Sequence, residues 1–126
     1  MSITKTLNQF KKEITENIPG LIALSVTEIE TGISFISHSN DPNFDPELAS
    51  SFNLEVAKAK MQAIEVLGIN EKINDILINL EKQIHIIDIS ENYKYIIYVA
   101  VDSTKTNLGM TRALLSKYKS QLIKNL

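Results

Sequence analysis

The stretch DPELASSFNLEVAKAKMQAIEVLG, residues 45–68, decides the fold of this chain. Asp45 directly precedes Pro46, an order typical of a helix start, because aspartate caps free backbone N–H groups and proline suits the first turn. Gly68 is typical of the residue that follows a helix end. The segment from Pro46 to about Leu67 is therefore predicted to form one long helix.

This helix carries two apolar stripes on roughly opposite sides when its residues are placed at about 100° each. One stripe consists of Leu48, Phe52, Val56, Ala59, Ala63 and Val66. The second stripe consists of Leu54, Ala57, Met61 and Ile64. A surface helix of a monomer needs one apolar stripe, which packs on the core. Two stripes predict two packing partners: the protein's own sheet, and either more of this chain or another molecule.

Apolar residues elsewhere alternate as in strands or recur at helical spacing. Strands are predicted at 21–29, 33–37, 75–80, 84–89 and 93–101, and further helices at 3–18 and from about 107 to the last residue. The last strand is apolar on both faces, which is typical of a central strand covered on both sides. We therefore expect a single α/β (α+β) domain over residues 1–126, with a five-stranded, mostly antiparallel sheet and helices on both faces.

The composition excludes several classes of protein. Of the 126 residues, 44% are hydrophobic and 22% are charged, which is ordinary for a globular protein. The absence of cysteine excludes disulfides and thiolate metal sites. A net charge of −2, with charges spread evenly, argues against nucleic-acid binding. Uncharged runs are too short for membrane insertion, so we expect a cytoplasmic protein.

Residues that could suggest chemistry favour simpler interpretations. The segment Ser37-His38-Ser39, with Asp41, contains the letters of a hydrolase triad, but a triad is assembled in space and not within one short segment. His85 stands alone on a strand, whereas a metal needs convergent ligands. Arg112, the only arginine, is expected to pack its stem and pair its head. We therefore predict no catalytic residue, no metal and no cofactor.

Four segments resemble the roadblock family, which includes the dynein light-chain and bacterial GTPase-regulator types. They are Ile18-Pro19-Gly20-Leu21, the long helix ending in Val66-Leu67-Gly68, the meander at 75–101, and Asn107-Leu108-Gly109-Met110-Thr111-Arg112. The resemblance covers about Leu7 to Leu122. It implies a profilin-like α-β-β-α-β-β-β-α order, a sheet of order 2-1-5-4-3, and a homodimer in which the third strands pair.

The dimer that the resemblance implies offers a place for the second stripe of the long helix. The expected dimer interface comprises Leu54, Ala57, Met61 and Ile64 on the helix, and Asp75, Ile76, Leu77, Ile78 and Asn79 on the edge strand. Pairing would remove an apolar unpaired edge, which is otherwise an aggregation hazard.

The resemblance also implies a partner, either a small Ras-like GTPase or another roadblock-type protein. The bacterial type reshapes the GTPase and donates no catalytic residue. The expected binding face is a polar arc of the long helix beside the stripes, namely Glu47, Ser51, Glu55, Lys58 and Gln62. Two alternatives stay open: a structural subunit of a larger complex, in the manner of a motor light chain, and a small-molecule-sensing domain of related fold.

Overall fold

The computed structural model describes residues 2–126, which form three helices and five strands. The elements are α1 (Ile3–Asn17), β1 (Leu21–Glu28), β2 (Ser34–Ser39), α2 (Pro46–Val66), β3 (Asp75–Asn79), β4 (Gln83–Ile89), β5 (Tyr95–Asp102) and α3 (Leu108–Lys124). This order confirms the predicted α-β-β-α-β-β-β-α arrangement.

The five strands form one sheet in the order β2-β1-β5-β4-β3, and every neighbouring pair is antiparallel. The sheet order implied by the roadblock resemblance is thereby confirmed. The central strand, β5, is buried on both faces from Ile96 to Val101, as its two-sided apolar pattern predicts.

Two apolar cores lie on opposite faces of this sheet. On one face, α1 and α3 cover Leu24, Val26 and Val99 with a set of buried side chains: Leu7, Phe10, Ile14, Leu115 and Leu122. On the other face, α2 alone packs near Tyr98 and Ala100. The sheet therefore has helices on both faces, two on one side and one on the other.

The second strand is longer than predicted and carries a β-bulge. We expected a loop from His38 onward, but His38 pairs with Leu24 and the strand continues to Ser39. Val26 lies opposite Ile36, whereas Thr27 lies opposite Ser34, so Phe35 is an extra residue in β2. The side chains at the end of β2 are polar because this edge strand lies largely outside both cores.

Candidate partner-binding surface

The inward side of α2 packs on the chain's own sheet. Ala57 is fully buried, and Leu54 and Met61 pack in the same core as Tyr98. Buried polar residues share this side, since the Ser50 hydroxyl donates a 2.6 Å hydrogen bond to Ser25 Oγ. The helix therefore faces the sheet with a mixed surface of small polar and apolar side chains.

The structure corrects the assignment of the two stripes. Leu54, Ala57 and Met61, which we placed in the dimer interface, contact the protein's own core. Ile64 is half-buried on the same side of the helix. The stripe that we expected to face the sheet is the one open to solvent, and its exposed members are Leu48, Phe52, Val56, Ala59 and Val66. Phe52, the largest of these side chains, is 61% exposed.

An open groove of about 560 Å³ lies beside the middle of the exposed stripe, at Val56 and Ala59. Its lining is mostly apolar and consists of Val56, Ala59, Lys60, Ile73, Asp75 and Ile76. The main contacts of α2 are with β1, β2 and β5, so the helix is offset from the β3 side of the sheet. The groove therefore joins the exposed side of α2 to the edge strand β3.

The edge strand itself is apolar and accessible. Leu77 is exposed, and Ile76 and Ile78 are half-buried on the face that α2 shares. Within residues 2–126, β3 pairs only with β4, which leaves its other edge free. The residues predicted on the strand side of the interface, including Asp75 and Asn79, thus lie together at one border of the molecule.

Two ion pairs tie α3 to the same border, on the opposite face. Arg112 Nη2 and Nε contact the two carboxylate oxygens of Asp75 at 2.8 and 3.0 Å. Lys119 Nζ lies 2.7 Å from Asp88 Oδ1, and Asp88 is the register neighbour of Asp75. Burial raises the pKa of Asp88, and the hydrogen bond from Lys119 opposes that rise. Arg112 is therefore paired within the chain.

His85 is half-buried and belongs to an aromatic cluster with Phe44 and the buried Tyr98. The Tyr98 hydroxyl and His85 Nδ1 share a hydrogen bond of 3.1 Å, and His85 Nε2 and Gln83 Oε1 share one of 2.8 Å. Phe44 stacks on Tyr98 with ring centroids 6.5 Å apart. Burial raises the pKa of Tyr98 to about 12 and lowers the pKa of His85. Both ring nitrogens have hydrogen-bond partners within the chain, so His85 is a packed residue.

Residues 37–41, which contain the letters of a hydrolase triad, make local hydrogen bonds. His38 Nε2 lies 2.7 Å from Asn40 Oδ1, and the Ser39 hydroxyl donates to the Asp41 backbone carbonyl at 2.7 Å. Among residues 2–126, no group of three histidine or carboxylate side chains is placed to hold a metal ion. Within the same residues, no helix has the length and apolar character needed to span a membrane.

The polar arc of α2 is fully on the surface. All five predicted partner-binding residues are exposed: Glu47, Ser51, Glu55, Lys58 and Gln62. They flank the exposed apolar stripe along the helix. The structure brings this arc, the stripe and the β3 edge to one side of the molecule.

Solved structures of other proteins share this architecture. No family model matches the chain, and no curated protein sequence matches it. Solved structures do match. MglB from Myxococcus xanthus is 17% identical, with a TM-score of 0.75 over 97% of this chain and 92% of that chain. The gliding protein MglB from Thermus thermophilus is 13% identical, with a TM-score of 0.77 over 97% of this chain and 88% of that chain.

A third similar structure is the roadblock/LC7 domain from Streptomyces avermitilis. It is 10% identical, with a TM-score of 0.69 over 86% of this chain and 88% of that chain. At these identities the likeness concerns the fold, and it extends over nearly the whole of each chain. Together with the element order and sheet order, it shows that this chain has the roadblock fold.

Proposed function

We propose that this chain is a homodimeric interaction module that regulates or scaffolds a small Ras-like GTPase without a catalytic residue of its own. The observation that carries the proposal is the exposed apolar stripe of α2, which lies beside the open edge of β3. Contiguous apolar surface rimmed by polar residues marks interaction sites.

A second copy of the chain suits this surface. An antiparallel pair of α2 helices would bring the stripe against itself, with Val56 and Ala59 near the middle and larger side chains toward the ends. A standard interface removes roughly 800 Å² from each partner. The accessible surface of this chain is 7476 Å², so such an interface would use about a tenth of it, as in other small proteins.

The polar arc suits a different, non-obligate partner. In a dimer that buries the apolar stripes, the two arcs would flank the twofold axis and form one platform of mixed charge. Charged groups on such a platform set specificity and association rate more than affinity. The roadblock resemblance implies a small Ras-like GTPase as the partner, and the mixed charge of the arc supports a regulated contact.

The experiment is calorimetry of the purified dimer against the Ras-like GTPases of the source organism, each loaded with GDP or a GTP analogue. The variant Glu55→Lys with Lys58→Glu reverses two charges of the arc and should weaken GTPase binding while the dimer persists. The matched control is Lys12→Glu with Glu16→Lys on α1, across the sheet, where both residues are exposed. This control should bind as the unmodified chain does.

Binding of at least one GTPase, weakened only by the α2 variant, would support the regulator. If no GTPase binds in either nucleotide state, the regulator proposal is contradicted, and a structural subunit of a larger complex takes its place. Equal loss of binding in both double variants would contradict the α2 arc as the binding face.

A further inference from the structure

A narrow cleft of about 150 Å³ lies between α1 and α3, on the side of the sheet opposite α2. Two turns of each helix line it, from Thr6 to Glu13 and from Tyr118 to Asn125. Sites for drug-sized ligands are about 300–1,000 Å³, so this cleft suits a much smaller molecule. We propose that it binds a small zwitterion, of the size of an amino acid or a short dipeptide, which carries one ammonium group and one carboxylate.

The two helices run in opposite directions past the cleft. α1 ends just before β1 begins, and α3 begins soon after β5 ends. These two strand ends are neighbours, because Asp102 N donates to Gly20 O at 2.8 Å. The stretch from Thr6 to Glu13 rises about 10 Å along α1, at about 1.5 Å per residue. Glu13 of α1 and Lys124 of α3 therefore lie toward opposite ends of the cleft.

The charges of these two side chains are opposite and are not paired with each other. The two ion pairs within residues 2–126 involve neither Glu13 nor Lys124. Glu13 Oε1 accepts a 2.8 Å hydrogen bond from Gln9 Nε2, which orients the carboxylate. A ligand ammonium at the Glu13 end and a ligand carboxylate at the Lys124 end would each form a charge-assisted hydrogen bond. A molecule with a single charge would use only one of these two ends.

Thr6 adds a hydroxyl donor to the Lys124 end of the cleft. Thr6 is only 5% exposed, and its Oγ1 atom has no hydrogen-bond partner within residues 2–126. A buried polar group without a partner is unfavourable, so a ligand that accepts its hydrogen bond would relieve that cost. Threonine in a helix occupies either of two χ1 rotamers, so a rotation would turn the hydroxyl toward the cleft that Thr6 borders. The carboxylate end then has two donors.

The remaining walls suit a compact polar molecule. Phe10 and Leu122, both buried, form an apolar floor. The amide side chains of Gln121 and Asn125 border the opening. Because the cleft is remote from the exposed stripe of α2, its occupant can bind whether or not that stripe is covered. The inference is therefore independent of the function proposed above.

Calorimetry of the full chain tests the ligand class with five probes. Glycine, γ-aminobutyrate and glycylglycine are zwitterions whose two charges lie progressively different distances apart. N-acetylglycine carries only the carboxylate, and glycinamide carries only the ammonium. At least one zwitterion should bind, and both single-charge analogues should bind about tenfold or more weakly, because each lacks one charge-assisted hydrogen bond.

Three variants test the residues of the cleft with the zwitterion that binds best. Glu13→Gln and Lys124→Met should each raise its Kd by about tenfold. Thr6→Val, which replaces a hydroxyl by a methyl of similar size, should weaken binding without lowering the thermal unfolding midpoint of the free chain. The matched controls are Glu71→Gln and Lys94→Met, which are exposed and lie outside the cleft, and both should bind as the unmodified chain does.

The outcomes separate the parts of the proposal. If no zwitterion binds, or if the single-charge analogues bind as tightly, the proposed ligand class is contradicted. Equal weakening by the cleft variants and by the Glu71→Gln and Lys94→Met controls would contradict the cleft as the site. A Thr6→Val chain that unfolds at a lower temperature would contradict an unsatisfied hydroxyl at Thr6. Binding of a zwitterion that is weakened only by the cleft variants supports the whole proposal.

Discussion

Replacing Phe52 with alanine should weaken self-association without destabilising the fold. Phe52 is 61% exposed, so the monomer gains little from it. Full burial of such a side chain contributes about 1.5–3 kcal/mol, so burying the exposed part contributes about 1–2 kcal/mol per chain and about 2–4 kcal/mol per dimer. Because about 1.4 kcal/mol corresponds to a tenfold change in Kd, the variant should raise the dimer Kd by about 30-fold to about 1000-fold.

Sedimentation equilibrium over a range of protein concentrations measures this Kd. Urea unfolding below the Kd should show a change of less than about 0.5 kcal/mol for Phe52→Ala, as is usual for surface substitutions. Met61→Ala is the matched control from the inward side, and it should lower the free energy of unfolding by about 2 kcal/mol. A Phe52→Ala variant that dimerises as tightly as the unmodified chain would refute the assignment of the exposed stripe to the interface.

Two further predictions concern the fold. Burial lowers the pKa of His85 from its usual 6.5, so the unfolded chain takes up the proton at a higher pH than the folded chain does. The free energy of unfolding should therefore fall as the pH drops below 6.5. Urea titrations from pH 8 to pH 5 should show a smaller loss of this free energy for His85→Gln than for the unmodified chain. Gly68→Ala should cost about 1–2 kcal/mol from its left-handed backbone alone. Gly20→Ala should cost more, because its new Cβ would lie 2.9 Å from Lys105 Cβ and 3.1 Å from Asp102 O; equal losses would argue against that close approach.

The element order and the central strand could be predicted because they depend on local patterns. A continuous run of apolar residues indicates β5. The capping residue before Pro46 defines the start of α2, where Asp45 Oδ1 accepts from the N–H groups of Glu47 and Leu48 at 3.0 and 3.1 Å. Such signals need only neighbouring residues. The sheet order came from the roadblock resemblance, since alternation does not determine which strands pair.

The orientation of α2 could not be predicted from its own sequence. Two apolar stripes of similar size leave both orientations possible, and the choice depends on distant groups. Ser50 can be buried because Ser25 accepts a hydrogen bond from its hydroxyl. Ser25 is 25 residues away along the chain, so no periodicity within the helix reports this partner. The helix sequence alone therefore predicts the interface on the stripe with Leu54 and Met61, whereas the structure exposes the stripe with Phe52 and Val56.

The bulge at Phe35 bears on how many copies a pair of joined β3 edges can recruit. A continuous ten-stranded sheet would end in a β2 strand at each side, and seven consecutive uncharged residues, 33–39, form that border. A regular border of this kind would template fibre growth. The extra residue breaks the even spacing of outward N–H and C=O groups and bends the strand. In a dimer joined through β3, strand addition would therefore terminate at two chains, and deleting Phe35 would restore a border on which polymers could grow.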